Sequence, residues 1–353
     1  LPPTFANQKM TQAAVLAPAV LAEDTGLAAE FHRWPLPGYL WPALHQRYQS
    51  IFCSEPHLRV HGSLGPDIQA WVARREGRIA EIMLFRIQGR VVRIINEMHG
   101  IDAGVLVAFY QNLSRVYPRV DAIQLHAIRI HGDCQYLWCM QTEFSEDYLL
   151  QLPASVDEWQ AGLSSRTREK LRYQQRRSRR KQSDLRFRQV HAGDISDAQF
   201  DRILHLSRLR MQGKGRPFNL DEDERRSLRS IMQECGELSV IEIGDEIVAG
   251  LLCTKLGKSV FMHVIAHDPR HDDLRLGFLC CAMTIEAAIE HGITHFHFLW
   301  GYYDYKVRLG GERKPLYQAV LFKSWLHGMS HPLMLARQLM QRTRRTLVQW
   351  RHS

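Results

Sequence analysis

The densest run of reactive side chains in the sequence is Gly301-Tyr302-Tyr303-Asp304-Tyr305-Lys306. Gly301 lets the chain turn at the end of a strand. The turn exposes tyrosines that can give up a proton, a lysine, and an aspartate that can hold an amine or orient Lys306. His263 and His267 lie four residues apart on an alternating stretch, so they are expected on one side of a sheet. Either can take a proton near neutral pH. His295 and His297 alternate with Phe296 and Phe298, which puts both imidazoles on one face of a neighbouring strand, lining the same cleft. These histidines have no accompanying carboxylate or CxxC spacing, so no metal is assigned to them. The cysteines number seven and are scattered, which excludes a disulfide framework and fits a reducing cytoplasm. Cys280 and Cys281 fall inside a helical pattern and read as small apolar packers.

The net charge of +9 is concentrated rather than spread. Arg166 to Lys181 holds nine basic residues against one acid, Glu169, and carries nearly all of the excess. A block of like charge repels itself unless an anion neutralises it, so this helix is expected to meet phosphates of a cofactor, a nucleic acid or a lipid-linked substrate. Only Tyr173 interleaves it, which leaves nucleic acid as a partner only in the form of tRNA. The tail from 331 to 353 is acid-free, with arginines among apolar residues. It is expected as a basic amphipathic helix able to lie on the inner face of an anionic membrane.

With 353 residues, 45% hydrophobic and 24% charged, the chain is an ordinary globular one, long enough for two domains. No apolar run reaches the ~18 residues of a membrane span. Ala13 to Ala22 has the length of a signal-peptide core but is broken by Pro18. In the second half, Asp184 to His191 alternates as a strand, and Ala198 to Met211 and Asp221 to Cys235 have helical spacing. Leu238–Ile243, Glu246–Lys255 and Ser259–Ala266 come next as a meander turned at Gly244-Asp245 and Gly257-Lys258. A loop from His267 leads into a helix from Leu276 to His291, then strands at Thr294–Trp300 and Leu316–Lys323. The first half reads as a shorter version, with strands at Ile68–Ala73, Arg78–Ile87, Arg90–Asn96 and Asp121–Ile128 around a helix at Ala103–Val116. The fold class is therefore mixed α/β, an α+β mixed sheet that cannot be purely parallel. The expected division is a flexible segment 1–30, a first half 31–152, a second half 153–330 and a tail helix 331–353.

Three stretches carry a family resemblance. Tyr148-Leu-Leu-Gln-Leu152, followed by Trp159 and Leu163-Ser-Ser-Arg-Thr-Arg-Glu-Lys-Leu-Arg172, resembles the opening of the acetyltransferase-like domain named for cellulose-biosynthesis accessory proteins. That domain belongs to the GCN5-related N-acyltransferase (GNAT) superfamily. Gly244-Asp-Glu-Ile-Val-Ala-Gly250 is similar to its second hairpin, and Phe296-His-Phe-Leu-Trp-Gly301 with Tyr305-Lys306-Val-Arg-Leu-Gly310 to its closing motif. The Fem-type transferases, which carry two GNAT-like halves, share this arrangement. The resemblance covers residues 145 to 325 and extends to the first half by architecture alone, so it implies two GNAT-like halves of which the second is complete.

What the resemblance implies is direct attack of an amine on an acyl thioester, acetyl-CoA or another acyl-CoA or an acyl-carrier protein, with no metal. The donor would lie where Ser259–Ala266 and Thr294–Trp300 splay apart. Its phosphates would meet His267, Arg270, Arg275, Leu276, Gly277 and Phe278, although this loop keeps only the last glycine of the superfamily turn and places Asp272 and Asp273 beside it. Lys306 would touch an anionic or carbonyl group, Tyr303 or Tyr305 would protonate the leaving thiolate, and Asp304 and His263 complete the catalytic set. Arg166, Arg168, Arg172, His297 and Trp300 are the expected substrate or phosphate contacts. The acceptor would be a small-molecule or lipid-linked amine, such as an amino sugar, in surface-polysaccharide or secondary-metabolite biosynthesis. Two alternatives stand beside this reading: a Fem-like transferase that uses aminoacyl-tRNA, and an inactive basic scaffold on nucleic acid or a membrane.

Overall fold

The chain builds one order of elements twice. A computed structural model describes residues 15–22, 27–134, 137–213, 215 and 220–350. The first pass runs β1 (Val15–Ala22), β2 (Leu27–Arg33), α1 (Leu40–Tyr48), α2 (Glu55–Val60), β3 (Ile68–Arg75), β4 (Arg78–Gln88), β5 (Val91–Ile94), β6 (His99–Asp102), α3 (Ala103–Val116) and β7 (Ala122–His131). After β8 (Trp138–Gln151), α4 (Val156–Gly162) and α5 (Ser165–Lys181) comes the second pass. It comprises β9 (Leu185–His191), α6 (Asp197–Gly213), α7 (Glu222–Cys235), β10 (Gly236–Ile243), β11 (Glu246–Leu256), β12 (Ser259–His267), α8 (Leu276–Glu290) and β13 (His295–His297). The chain closes with α9 (Asp304–Arg308), β14 (Glu312–Phe322), α10 (Trp325–Met329) and α11 (Pro332–Trp350). Each pass is thus a strand, two helices, an antiparallel meander, a helix and a strand parallel to the last of the meander.

Local sequence accounts for most boundaries. Gly244 and Gly257 adopt positive φ at the meander turns, where a side chain would be strained. A capping box joins Asp221 and Glu224 at the start of α7, and Asp102 accepts from Gly104 N–H to start α3. What joins the halves is an exchange. β8, which comes after the first pass, pairs with β13 of the second, while β14 returns to lie between β7 and β8. The described strands thereby form one continuous sheet. Phe52, Met98, Phe261, Leu299 and Leu316 pack together where the halves meet.

Four expectations are corrected. The segment expected to be flexible up to residue 30 contains β1 and the start of β2, an edge hairpin; residues 1–14 and 23–26 of that segment, and 351–353 of the expected tail helix, lie outside the described residues. Arg90–Asn96 is broken, with β5 and β6 pairing β7 in succession and Met98 N–H donating to Ala127 C=O across the break at 2.9 Å. Thr294–Trp300 shrinks to the three residues of β13, because Leu299 and Gly301 take positive φ and turn the chain away. The strand expected at Leu316 already begins at Glu312.

Candidate active site

In the second half the parallel pair β12 and β13 comes apart. Their last paired residues are Phe261 and His297. Opposite β11, the register steps from Leu252↔Val264 to Cys253↔Met262, so β12 carries an extra residue at His263. Such a bulge bends a strand and re-aims the residues beyond it. Past the bulge the two strands have no paired residues, and two cavities fill the gap: one of about 680 Å³ reaching to the start of α8, and one of about 210 Å³ between Met262–Ile265 and Phe298–Trp300. Arg210, Ile265 and Tyr305 line both. In the first half, β5 leaves β7 after Arg93, β6 rejoins it at His99, and the Asp102 carboxylate caps the start of α3.

The larger cavity is lined by Arg177, Arg210 and Arg275 and ends at a helix N-terminus. The first turn of α8 has no side-chain cap, so its leading N–H groups are left for a ligand. A Cβ at Gly277 would lie 2.9 Å from His267 Nδ1, so glycine keeps this approach open. The two acids of the loop are already paired. Asp272 pairs with His267 Nε2 at 2.8 Å, and Asp273 accepts from Arg177 at 3.0 Å and Lys181 at 2.6 Å. The basic helix α5 thus supplies the counter-charge of Asp273, and β12 the partner of Asp272. Gln174 is 6% exposed on the same wall, and its Oε1 has no hydrogen-bond partner. A buried acceptor left bare is costly, and a ligand N–H would satisfy it.

The structure separates the expected phosphate contacts. His267, Arg275, Gly277 and Phe278 line the cavity, whereas Leu276 points into the core. Arg270 is corrected: its guanidinium is held by Asp268 and Glu246, outside both cavities, and it draws the Asp268 carboxyl down to about 2. On α5, Arg168 is also corrected, because it donates to the carbonyls of Gln160, Ala161 and Leu163 and closes the end of α4. Arg166 and Arg172 lie off the cavity wall, which is formed instead by Tyr173, Gln174 and Arg177. Helical spacing carries the signal for that face, since 173, 177 and 181 recur every four residues.

At the other end, Lys306 lines the smaller cavity and also holds the turn beside it. It is 2% exposed, and its Nζ donates to the carbonyls of Leu299 (3.0 Å), Trp300 (2.6 Å) and Gly301 (3.0 Å). All its protons are spent on the turn that ends β13. Burial pulls its ammonium down to about 8, and the rings of Tyr148 and Tyr303 flank it. Asp304 is corrected too, since it is exposed and paired with Arg308 one turn on. Tyr303, Trp300 and His263 line the smaller cavity. His263 bonds Thr254 Oγ1 at 2.8 Å and is held neutral by burial, which lowers its pKa to about 4. Because His263 is the bulged residue, it and His267 line different cavities rather than one. Burial raises the pKa of Tyr305. His297 is corrected as a contact of this site: it lies with His295 at the closed end of the strand pair, its Nδ1 2.7 Å from Asp147.

Comparison with known proteins fits this geometry. The acetyltransferase (GNAT) domain family matches residues 165–307, from the start of α5 to the Lys306 turn. The fold is GNAT-like, and it is built twice. The structure of FemX superposes with a TM-score of 0.57 at 10% identity, over 80% of this chain and 96% of FemX. A conserved protein of unknown function from Bacteroides thetaiotaomicron gives 0.50 at 12% identity, over 81% and 97%. At these identities the likeness is one of fold. No curated protein matches the sequence. The matched GNAT segment contains the open splay and the principal walls of both its cavities.

Proposed function

We propose that this protein is an N-acyltransferase that moves an acyl group from an acyl-CoA to an amine, and that only its second half carries the reaction site. The observation that carries this reading is the open gap between β12 and β13, continuous from the uncapped start of α8 to Tyr305 and His263. A bound acyl-CoA supplies an activated thioester carbonyl. Leading N–H groups of α8 with Arg177 and Arg275 meet its phosphates, and Gln174 Oε1 accepts from one of its amides. Unpaired backbone on β12 past the bulge faces the carbonyl. Tyr305, at the junction of the cavities, is the proton donor, and His263 is the imidazole beside the incoming amine. The acceptor class is an amino group on an amino sugar, amino acid or lipid-linked precursor.

Calorimetry with acetyl-CoA and a long-chain acyl-CoA is expected to show saturable one-site binding, weakened about 100-fold by Gly277→Val through loss of charge-assisted hydrogen bonds. Absence of thioester binding together with salt-sensitive binding of aminoacyl-tRNA would transfer the site to the Fem-like reading.

Contact with an anionic membrane is proposed on a separate observation. No described helix is long and apolar enough to cross a membrane, yet Trp325, Leu326, Met329, Leu333 and Met340 stand exposed on α10 and α11. Residues 325–353 contain no acid and include Arg337 among several arginines. Exposed apolar side chains in an acid-free, arginine-bearing segment fit an anionic bilayer. The chain is expected to sediment with phosphatidylglycerol vesicles and not with phosphatidylcholine ones. Trp325→Ser with Leu333→Ser should weaken this about tenfold or more, from the lost apolar burial.

A further inference from the structure

A cavity of about 370 Å³ lies between the halves, at the closed end of the β12–β13 pair and away from the splay. Arg47, His99 and Arg129 reach it from the first half, and Ser259, His295 and His297 from the second. His99 is 5% exposed. Its Nδ1 lies 3.1 Å from the Gly100 carbonyl, an acceptor only, so Nδ1 carries the proton and Nε2 is a bare lone pair. That Nε2 is buried without a hydrogen-bond partner. The ring is fixed as well as orphaned, packed 4.3 Å from the Tyr48 ring, whose hydroxyl is tied to Glu81 and the Ile82 carbonyl.

Arg129 presents the complementary anomaly. Its guanidinium is half-buried, and no described carboxylate lies within ion-pair distance of it. The acid that acts on it electrostatically is Asp147. Both Asp147 oxygens are already engaged, one with His297 Nδ1 at 2.7 Å and the other with Leu299 N–H at 3.1 Å. Arg47, on the rim, shares its charge with Glu81 at 3.3 Å. The cavity thus holds a planar cation lacking an anion next to a buried acceptor lacking a donor. A half-buried charge without a counter-ion and a buried polar atom without a partner each carry a desolvation cost that one ligand would offset.

We propose that this inter-half cavity binds a small hydroxylated anion, a phosphate or carboxylate seated on Arg129 whose neighbouring O–H donates to His99 Nε2. Sugar phosphates and hydroxy acids share that chemistry. Asp147 links the cavity to the splay, since the carboxylate that acts on Arg129 electrostatically and bonds His297 also holds the Leu299 N–H at the turn. The site stands on its own observations and not on the acyl-transfer reading.

The test is calorimetry on the full chain with glucose 6-phosphate, D-glycerate and sulfate at fixed ionic strength. Saturable binding of glucose 6-phosphate or D-glycerate is expected, which also tells the phosphate source from the carboxylate one. Sulfate, an anion without a hydroxyl, should bind about tenfold more weakly for want of one hydrogen bond to a buried acceptor. Arg129→Gln should abolish binding of all three, and His99→Phe should erase the advantage of the hydroxylated anion while leaving sulfate binding intact. If Arg129→Gln does not fold, Arg129→Lys keeps the charge without the two-pronged geometry and should bind about tenfold more weakly. Acyl-CoA binding is expected to be unchanged in these variants, which separates a failure here from a failure of the proposed function. No saturable binding of any of the three, or binding that Arg129→Gln leaves untouched, overturns the proposal and assigns the cavity to water.

Discussion

Lys306→Met is expected to lower the stability of the protein by about 3 kcal/mol and to abolish transfer with it, because the lysine holds the turn on which the site is built. Methionine fills nearly the same volume but donates no hydrogen bond. It would leave the carbonyls of Leu299, Trp300 and Gly301 without their shared donor. The Leu299 carbonyl is buried and the other two partly so, and each left bare costs on the order of 1 kcal/mol. The damage is local in origin and wide in effect. Leu299 sits at φ 55°, a conformation that a branched side chain adopts only when its surroundings compel it. Its N–H is held by Asp147 and its C=O by Lys306, so removing the ammonium releases one of two restraints. The strand would then be free to extend past His297, and the gap to β12 would narrow. Urea unfolding and turnover measured on the same preparation decide the matter. Loss of turnover with unchanged urea midpoint would return Lys306 to the substrate-contacting role that its place in the family motif implies.

Residues whose partners are near in sequence were legible. The meander was readable because glycine at each turn and alternation in each strand act over a few residues, and α3 because Asp102 caps the helix it precedes. The repeated order of elements came from the same local signals. The exchange of β8 and β14 was not legible, since period-two alternation marks a strand without naming its neighbour. The length of β13 escaped for a related reason. Phe296-His-Phe-Leu-Trp alternates well enough to continue, and what stops it is a lysine several residues later reaching back to three carbonyls. Charge was legible in amount and obscure in direction. Nothing in Arg166 to Lys181 says which cation closes α4, which neutralises Asp273 and which faces the cavity, because that depends on the helix's rotation against the sheet. The bulge at His263 likewise broke the alternation that would have placed His263 and His267 together.

Tyr305→Phe is expected to reduce kcat by about 100-fold or more, the ordinary worth of a positioned general acid, with little change in KM. Tyr303 and Tyr305 are both near the reacting end, but only Tyr305 lines both cavities and so stands where the donor's sulfur must pass between them. Its buried position raises its pKa, which keeps the hydroxyl protonated through the neutral range, so the proton is in place when the C–S bond breaks. The developing thiolate is a better proton acceptor than the thioester carbonyl before attack, and the proton passes to sulfur as the thiol leaves. Phenylalanine preserves the ring, its edge contact with Phe298 and the tilted packing on Tyr303, so the fold and donor affinity should survive. A thioester whose leaving thiol is more acidic needs less proton assistance, and the Tyr305→Phe deficit should shrink with it. A deficit equal for both thioesters would assign Tyr305 to positioning the donor, and an unchanged kcat would move the proton donor to Tyr303.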